Sequence, residues 1–237
     1  MYIIITGASS GIGYHTAKSI CEYTNCKKED ITLLLLARSY NKLEQLQSEI
    51  LSQYSHVKVI IEQFDISKDN INNIIIKNNI TKVDKLLHNA GLLINKPFEE
   101  YSDEEIENIF YTNIIGVIKM TRNLIPYLNI GSHVLNISSM GGFQGSVKFP
   151  GLSIYSASKG ALNILTESLA SEYTQTKGII FNSLSLGSVR TSMLSEAFPG
   201  YSGGIKVEDM GKEVARMLLM GQAIYNGKLI PMSKSTP

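Results

Sequence analysis

Short, almost wholly apolar runs recur along this chain at 2–6, 31–37, 57–61, 85–87, 134–137 and 179–184, and longer stretches with helical spacing separate them. In 40–54, for example, Leu43, Leu46, Ile50 and Leu51 fall at helical intervals, with Glu44, Gln47 and Ser48 between them. Strands that are apolar on both faces belong in a parallel sheet covered by helices on each side. Their alternation with helices predicts right-handed crossovers and a three-layer, doubly wound α/β fold. An antiparallel sheet with helices is the alternative that this pattern disfavours. No repeat, low-complexity segment or Pro/Gly/Ser-rich linker divides the 237 residues. A single domain over 1–237 is therefore expected, long enough to bury a sizeable core.

Charge and cysteine usage exclude several roles. Lys and Arg number 22 against 21 Asp and Glu, a formal charge of +1 that offers no basic stripe for nucleic acid or an anionic membrane. No apolar run approaches the roughly 18 residues of a membrane span. The start, 1–5, lacks a basic flank and runs directly into a glycine turn, unlike a secretory leader. Cys21 and Cys26, five apart in a predicted helix, share no face and form neither a disulfide framework nor a zinc site. Reduced thiols in a cytoplasmic protein are the expectation. His15, His56, His88 and His133 match no metal-ligand spacing, and no metal is expected.

Two local patterns carry chemistry. Thr6-Gly7-Ala8-Ser9-Ser10-Gly11-Ile12-Gly13 follows the first strand and opens a helix. Glycines permit a sharp turn and close approach of backbone to a pyrophosphate, and the amides at a helix N-terminus favour the anion. The spacing is neither the common G-x-G-x-x-G nor a P-loop, since no Gly-Lys-Ser/Thr follows. Farther on, Tyr155 and Lys159 lie four apart in a predicted helix over 155–173, on one face. A phenol of ordinary pKa ~10 is a poor acid or base near neutrality. A neighbouring ammonium is expected to lower that value toward the working pH.

The turn at 6–13, Asn89-Ala90-Gly91 and Tyr155-Ser156-Ala157-Ser158-Lys159, in that order, resemble the short-chain dehydrogenase/reductase family in its compact branch. The resemblance runs from Met1 to about Thr191. It implies a Rossmann fold, a nicotinamide dinucleotide cofactor and hydride transfer between that cofactor and a carbonyl or alcohol. By family position, Gly7, Ser9, Ser10, Gly11, Ile12 and Gly13 cradle the pyrophosphate. Asp65 and Ile66 contact adenine, although Asp65 also suits a turn or helix cap. Asn89, Ala90 and Gly91 line the cofactor, preceded by His88 where the family has asparagine. At the end of the second strand Ala37 is followed by Arg38 and Ser39. A carboxylate there would repel an added phosphate, whereas a guanidinium binds one, so NADP(H) is expected over NAD(H).

The resemblance places Ser139 on the substrate oxygen, with Ser138 the alternative because the 16-residue spacing to Tyr155 is long. Lys159 tunes Tyr155 and holds the nicotinamide ribose. Asn113, inside a helical reading of 103–128, matches the asparagine whose carbonyl, freed by a local distortion, holds a water beside the lysine. Gly187, Val189 and Thr191 fall where the family meets the carboxamide, with Leu186 in place of the usual proline. Loops 140–154 and 192–204 become substrate wall and lid. A homodimer or homotetramer built on the Asn113 and Tyr155 helices is implied. The expected function is an NADPH-dependent carbonyl reductase. Its rival, an idle NADP(H)-binding sensor, would typically lack the tyrosine or lysine kept here. The 46 residues after Thr191 are too few for the substrate domain of a nucleotide-sugar epimerase.

Overall fold

The computed structural model describes residues 1–27 and 29–234; residues 28 and 235–237 of the expected domain lie outside the described residues. The first half alternates strand and helix: β1 (Tyr2–Thr6), α1 (Gly11–Lys27), β2 (Ile31–Ala37), α2 (Tyr40–Gln53), β3 (Val57–Gln63), α3 (Ile71–Lys77) and β4 (Val83–His88). Then follow α4 (Asp103–Phe110), a π-helical turn (Tyr111–Ile115), α5 (Gly116–Leu124), β5 (Leu128–Ser139), α6 (Ser153–Lys177) and β6 (Ile180–Leu186). The last part holds β7 (Val189–Arg190), α7 (Ser192–Ala197), β8 (Ile205–Lys206), α8 (Val207–Met220) and β9 (Lys228–Met232). The main sheet is parallel in the order β3-β2-β1-β4-β5-β6-β9, and β7 pairs with β8 separately. This is the doubly wound, three-layer α/β architecture expected of the apolar runs.

Each central strand sends alternate residues to two cores. Ile3, Ile5, Leu33, Leu35 and Leu135 pack under α1, α2 and α8, while Ile4, Leu34, Leu36, Leu86 and Val134 pack under α3, α5 and α6. Burying such a side chain stabilises the fold by roughly 1.5–3 kcal/mol. Local signals set the helix ends. Ser102 and Glu105 form a reciprocal capping box before α4, and α6 stops at Gly178, whose φ of 63° is left-handed.

Two expectations need correction. The helical reading of 103–128 divides into α4, the π turn and α5, and Pro126 lies in a short 3₁₀ turn beyond them. Leu128 is already strand, paired with Val83 ahead of a register shift, so β5 is much longer than 134–137. β9 lies outside the apolar runs of the sequence, since Pro231 interrupts its short apolar stretch. At a sheet edge a proline is tolerated, since its missing N–H faces no neighbouring strand.

Candidate active site

The glycine turn is held open by an asparagine from the next strand. Gly7 has φ 67°, and a Cβ there would lie 2.9 Å from both the Ala90 Cα and the Asn89 amide nitrogen. Asn89 Nδ2 donates to the carbonyls of Thr6 and Gly7 at 3.1 and 3.0 Å. The Thr6 hydroxyl in turn accepts from the amides of Asn89 and Ala90. Asn89 thus clips β4 to the turn and leaves the α1 N-terminus facing the carboxyl ends of β1 and β4, where ligands bind in open α/β sheets. Thr191 joins the same place from the far end of the chain, since a Cβ on Gly11 would lie 3.6 Å from its methyl group. Glycine backbone next to helix-terminal amides fits a dinucleotide pyrophosphate.

Across β4 the catalytic candidates converge. A Cβ on Gly91 would lie 3.4 Å from Asn113 Oδ1 and 3.6 Å from Lys159 Nζ. Asn113, wholly buried, sits in the π turn, a distortion that takes backbone groups out of the regular helical ladder. Its side chain accepts from the Leu92 amide at 2.8 Å and donates to the Leu92 carbonyl at 2.9 Å and the Ser158 hydroxyl at 3.0 Å. Lys159 Nζ donates to the Ile137 carbonyl at 2.8 Å and lies 5.8 Å from the Tyr155 ring centroid. The two serines separate by direction. Ser138 is buried and donates to the Lys159 carbonyl at 3.2 Å, whereas the Ser139 hydroxyl accepts from the Gly141 amide at 3.1 Å and pulls the Tyr155 phenol pKa downward.

Burial decides the protonation states. It pushes the Tyr155 phenol up to about 12, against a smaller opposite pull from the Ser139 hydroxyl. It also brings the Lys159 ammonium down to about 8. The expectation that the phenol lies below its ordinary value is therefore corrected: burial raises it. His88, fully buried, is pushed down to about 3 by desolvation and then by the Lys159 charge, and its Nε2 pairs with the Thr121 hydroxyl at 2.9 Å.

Arg38, Ser39, Asp65 and Ile66 lie apart, beyond β2 and β3. Arg38 is exposed, its carbonyl accepting from Gln63 Nε2 at 3.0 Å, and Ser39 precedes α2 without a side-chain cap bond. Burial disfavours ionisation of Asp65, but hydrogen bonds from the Ser67 hydroxyl and amide, with the charges of Arg38 and Lys68, hold its carboxyl below the usual range. Asp65 Oδ1 thus serves its own turn, and Asn70 caps α3. Ile66 is buried, its carbonyl so near Gly116 that a Cβ there would overlap it. Gly187 donates to the Met232 carbonyl at 3.0 Å, Val189 is buried in β7, and Thr191 caps α7.

Sequence reasoning missed Ser158 and Gly142. Ser158 donates to the Tyr155 carbonyl at 2.7 Å and accepts from Asn113, a role its place between Tyr155 and Lys159 could have signalled. Gly142 lies against the backbone of Lys159 and Gly160, where any side chain would collide. Its carbonyl accepts from Asn163 Nδ2 at 3.0 Å.

The strand order, glycine turn and converging side chains define a Rossmann-class dinucleotide-binding architecture. A protein-family model described as short chain dehydrogenase matches residues 1–202, and the chain belongs to that family. It is 33% identical over 182 residues to an NADP-dependent 3-hydroxy acid dehydrogenase of Schizosaccharomyces pombe, covering 74% of this chain and 66% of that protein. It is 32% identical over 209 residues to a very-long-chain 3-oxoacyl-CoA reductase of Anas platyrhynchos, covering 84% of this chain and 63% of that one. The chain spans about three-fifths to two-thirds of the length of the first curated relatives it matches. Among solved structures, a short chain dehydrogenase from Shigella flexneri complexed with NADP superposes at TM-score 0.81 with 27% identity, covering 97% of this chain and 95% of that one. A 3-ketoacyl-(acyl-carrier-protein) reductase from Brucella melitensis complexed with NADH has the same fold, at TM-score 0.81 and 24% identity over 98% and 96% of the two chains.

Proposed function

We propose that this protein is an NADPH-dependent carbonyl reductase in which Tyr155 is the proton donor. The observation that carries the reading is the meeting of Asn113, Ser139, Tyr155 and Lys159 beside a glycine turn shaped for a pyrophosphate. NADPH, when bound, supplies the hydride that adds to the carbonyl carbon. Ser139 donates a hydrogen bond to the carbonyl oxygen and orients it, and the Tyr155 hydroxyl passes its proton to that oxygen, completing the alcohol. A phenol held near 12 carries its proton at neutral pH, the state a donor needs, although burial also makes it a weaker acid than a free phenol. Lys159, with Asn113 behind it, positions the ribose and restores the proton to Tyr155.

Arg38 and Ser39 supply the preference for NADP(H): no carboxylate stands at the end of β2, and the exposed guanidinium is free to take a 2′-phosphate in bidentate fashion. Gly7, Ser9, Ser10, Gly11, Ile12 and Gly13 hold the pyrophosphate, Asp65 and Ile66 the adenine, and Asn89, Ala90, Gly91, Gly187, Val189 and Thr191 the nicotinamide half. Loops 140–154 and 192–204 form the substrate wall and lid. A homodimer or homotetramer is supported by Tyr111, Ile118 and Ile164, apolar side chains left exposed on the π turn, α5 and α6. Among the described residues no helix is long and apolar enough to cross a membrane, and no cluster of His, Cys, Asp and Glu could hold a metal.

The test is NADPH oxidation by the wild-type chain against ketones, aldehydes and oxoacyl thioesters. Saturable turnover with at least one of these is expected. Tight NADPH binding with no turnover on any of them would contradict the proposal and favour the sensor.

A further inference from the structure

The 192–204 segment is fastened at both ends. At its base, Val189 and Arg190 pair with Ile205 and Lys206, and the Ile205 amide donates to the Ser188 carbonyl at 2.9 Å. At its outer end, the last residue of α7 is held by a side chain from the other half of the fold: Asn95 Nδ2 donates to the Ala197 carbonyl at 2.8 Å. Asn95 itself stands on a braced platform. Asn113 grips the neighbouring Leu92 through both its amide and its carbonyl. The Tyr101 hydroxyl lies 2.6 Å from the Ile94 carbonyl and 2.9 Å from that of Gly151, and the Lys96 amide donates to Gly151 at 3.2 Å. Lys96 Nζ reaches both Glu105 carboxylate oxygens at 2.7 and 2.8 Å. Gly151, at φ 81°, presses on Asn95 Oδ1 so closely that a Cβ would overlap it, which leaves the amide nitrogen aimed at α7.

We propose that Asn95 is a positioning residue that latches α7 shut over the substrate site, joining the lid to the wall formed by 140–154. This rests on the reading of those two segments as substrate cover. A neutral amide–carbonyl hydrogen bond shifts an open–closed equilibrium by roughly 2- to 12-fold. That is strong enough to bias the lid and weak enough to release it in each turnover.

The experiment compares hydrogen exchange in wild type, Asn95→Leu and Asn95→Asp, with steady-state kinetics on the same samples. Leucine keeps the volume without the donor, and aspartate sets a carboxylate against the Ala197 carbonyl. Both variants should speed exchange of the α7 amides about 3- to 10-fold, with β1, β4 and β5 unchanged. The KM for the carbonyl substrate should rise by a similar factor while kcat changes less than 2-fold. Gly151→Ala, which displaces Asn95 from the other side, should give the same α7 signature. Unchanged α7 exchange in both Asn95 variants would overturn the latch, and faster exchange with unchanged KM would overturn its positioning role. If wild type turned over no carbonyl, the reading of the site would fall, and the exchange comparison would still decide whether Asn95 holds α7.

Discussion

β2 and β6 are parallel strands of equal length, both buried within the same sheet, yet they are built differently. β2 reads ITLLLLA, and Leu33 through Leu36 are wholly buried. β6 reads IFNSLSL, and its Asn182, Ser183 and Ser185 are as deeply buried as its leucines. On the function proposed above, β2 belongs to the side that would hold the cofactor, which presents backbone at a glycine turn with apolar support beneath it. The catalytic side presents side chains, and a polar layer lies under α6 to hold them. Ser183 donates to Asn163 Oδ1 at 2.9 Å, and Asn163 fixes Gly142 against Lys159. Asn136 donates to Thr166 at 2.9 Å. Buried side-chain atoms without a hydrogen-bond partner among the described residues occur on both sides: Tyr2 Oη in β1 and Thr16 Oγ1 in α1, and His88 Nδ1, Asn136 Oδ1 and Ser185 Oγ in β4, β5 and β6. The side chains that would do the chemistry stand on a buried polar layer, and the glycine turn stands on apolar strands.

The largest effect that separates the two sides is on stability. Leu34→Ala should destabilise the protein by about 2–5 kcal/mol in denaturant unfolding, through lost burial and a cavity. Activity per folded molecule should be retained. Loss of catalysis in fully folded Leu34→Ala would show that the cofactor side does more than support.

Lys159 gives the next effect, and its sign follows from its lowered pKa. Below pH 8 the ammonium is protonated in both states, so the cost of burying it is present in full. Between about 8 and the ordinary 10.5 the unfolded chain keeps the proton and the folded chain does not, so stability rises with pH across that window. The stability of wild type relative to Lys159→Met should therefore improve from pH 7 to 10.5, by at most about 3 kcal/mol. A difference that stays flat with pH would mean that Lys159 is not desolvated as described.

The smallest effect tests the exposed end of the cofactor side. Arg38→Asp should weaken NADPH binding by roughly 10- to 100-fold, the worth of a charge-assisted bidentate contact, while barely changing NADH. Equal affinity of wild type for the two cofactors would remove the preference.

The same contrast explains what could be read from the sequence. The cofactor side was legible because wholly apolar strands and a glycine turn are local signals; β1 and β2 occur where the runs place them. On the catalytic side, Tyr155 and Lys159 were visible as a helical pair, and α6 extends on both sides of 155–173. The choice between Ser138 and Ser139 was not visible, since it depends on which way each hydroxyl points at the end of β5. Asn95 was invisible for a stronger reason: its partner lies 102 residues away, and no periodicity records such a contact. The rise of the Tyr155 phenol also escaped, because a four-residue spacing reports a neighbouring charge but not the depth of burial around it.

The most direct test of the division between binding and chemistry is Tyr155→Phe, with turnover and NADPH affinity measured side by side. The variant keeps the ring and loses only the donated proton, so turnover should fall by about 10²- to 10⁴-fold. NADPH affinity should stay within about 3-fold, since the cradle is backbone from another part of the sheet. Near-normal turnover, or a matching loss of affinity and turnover, would contradict the account.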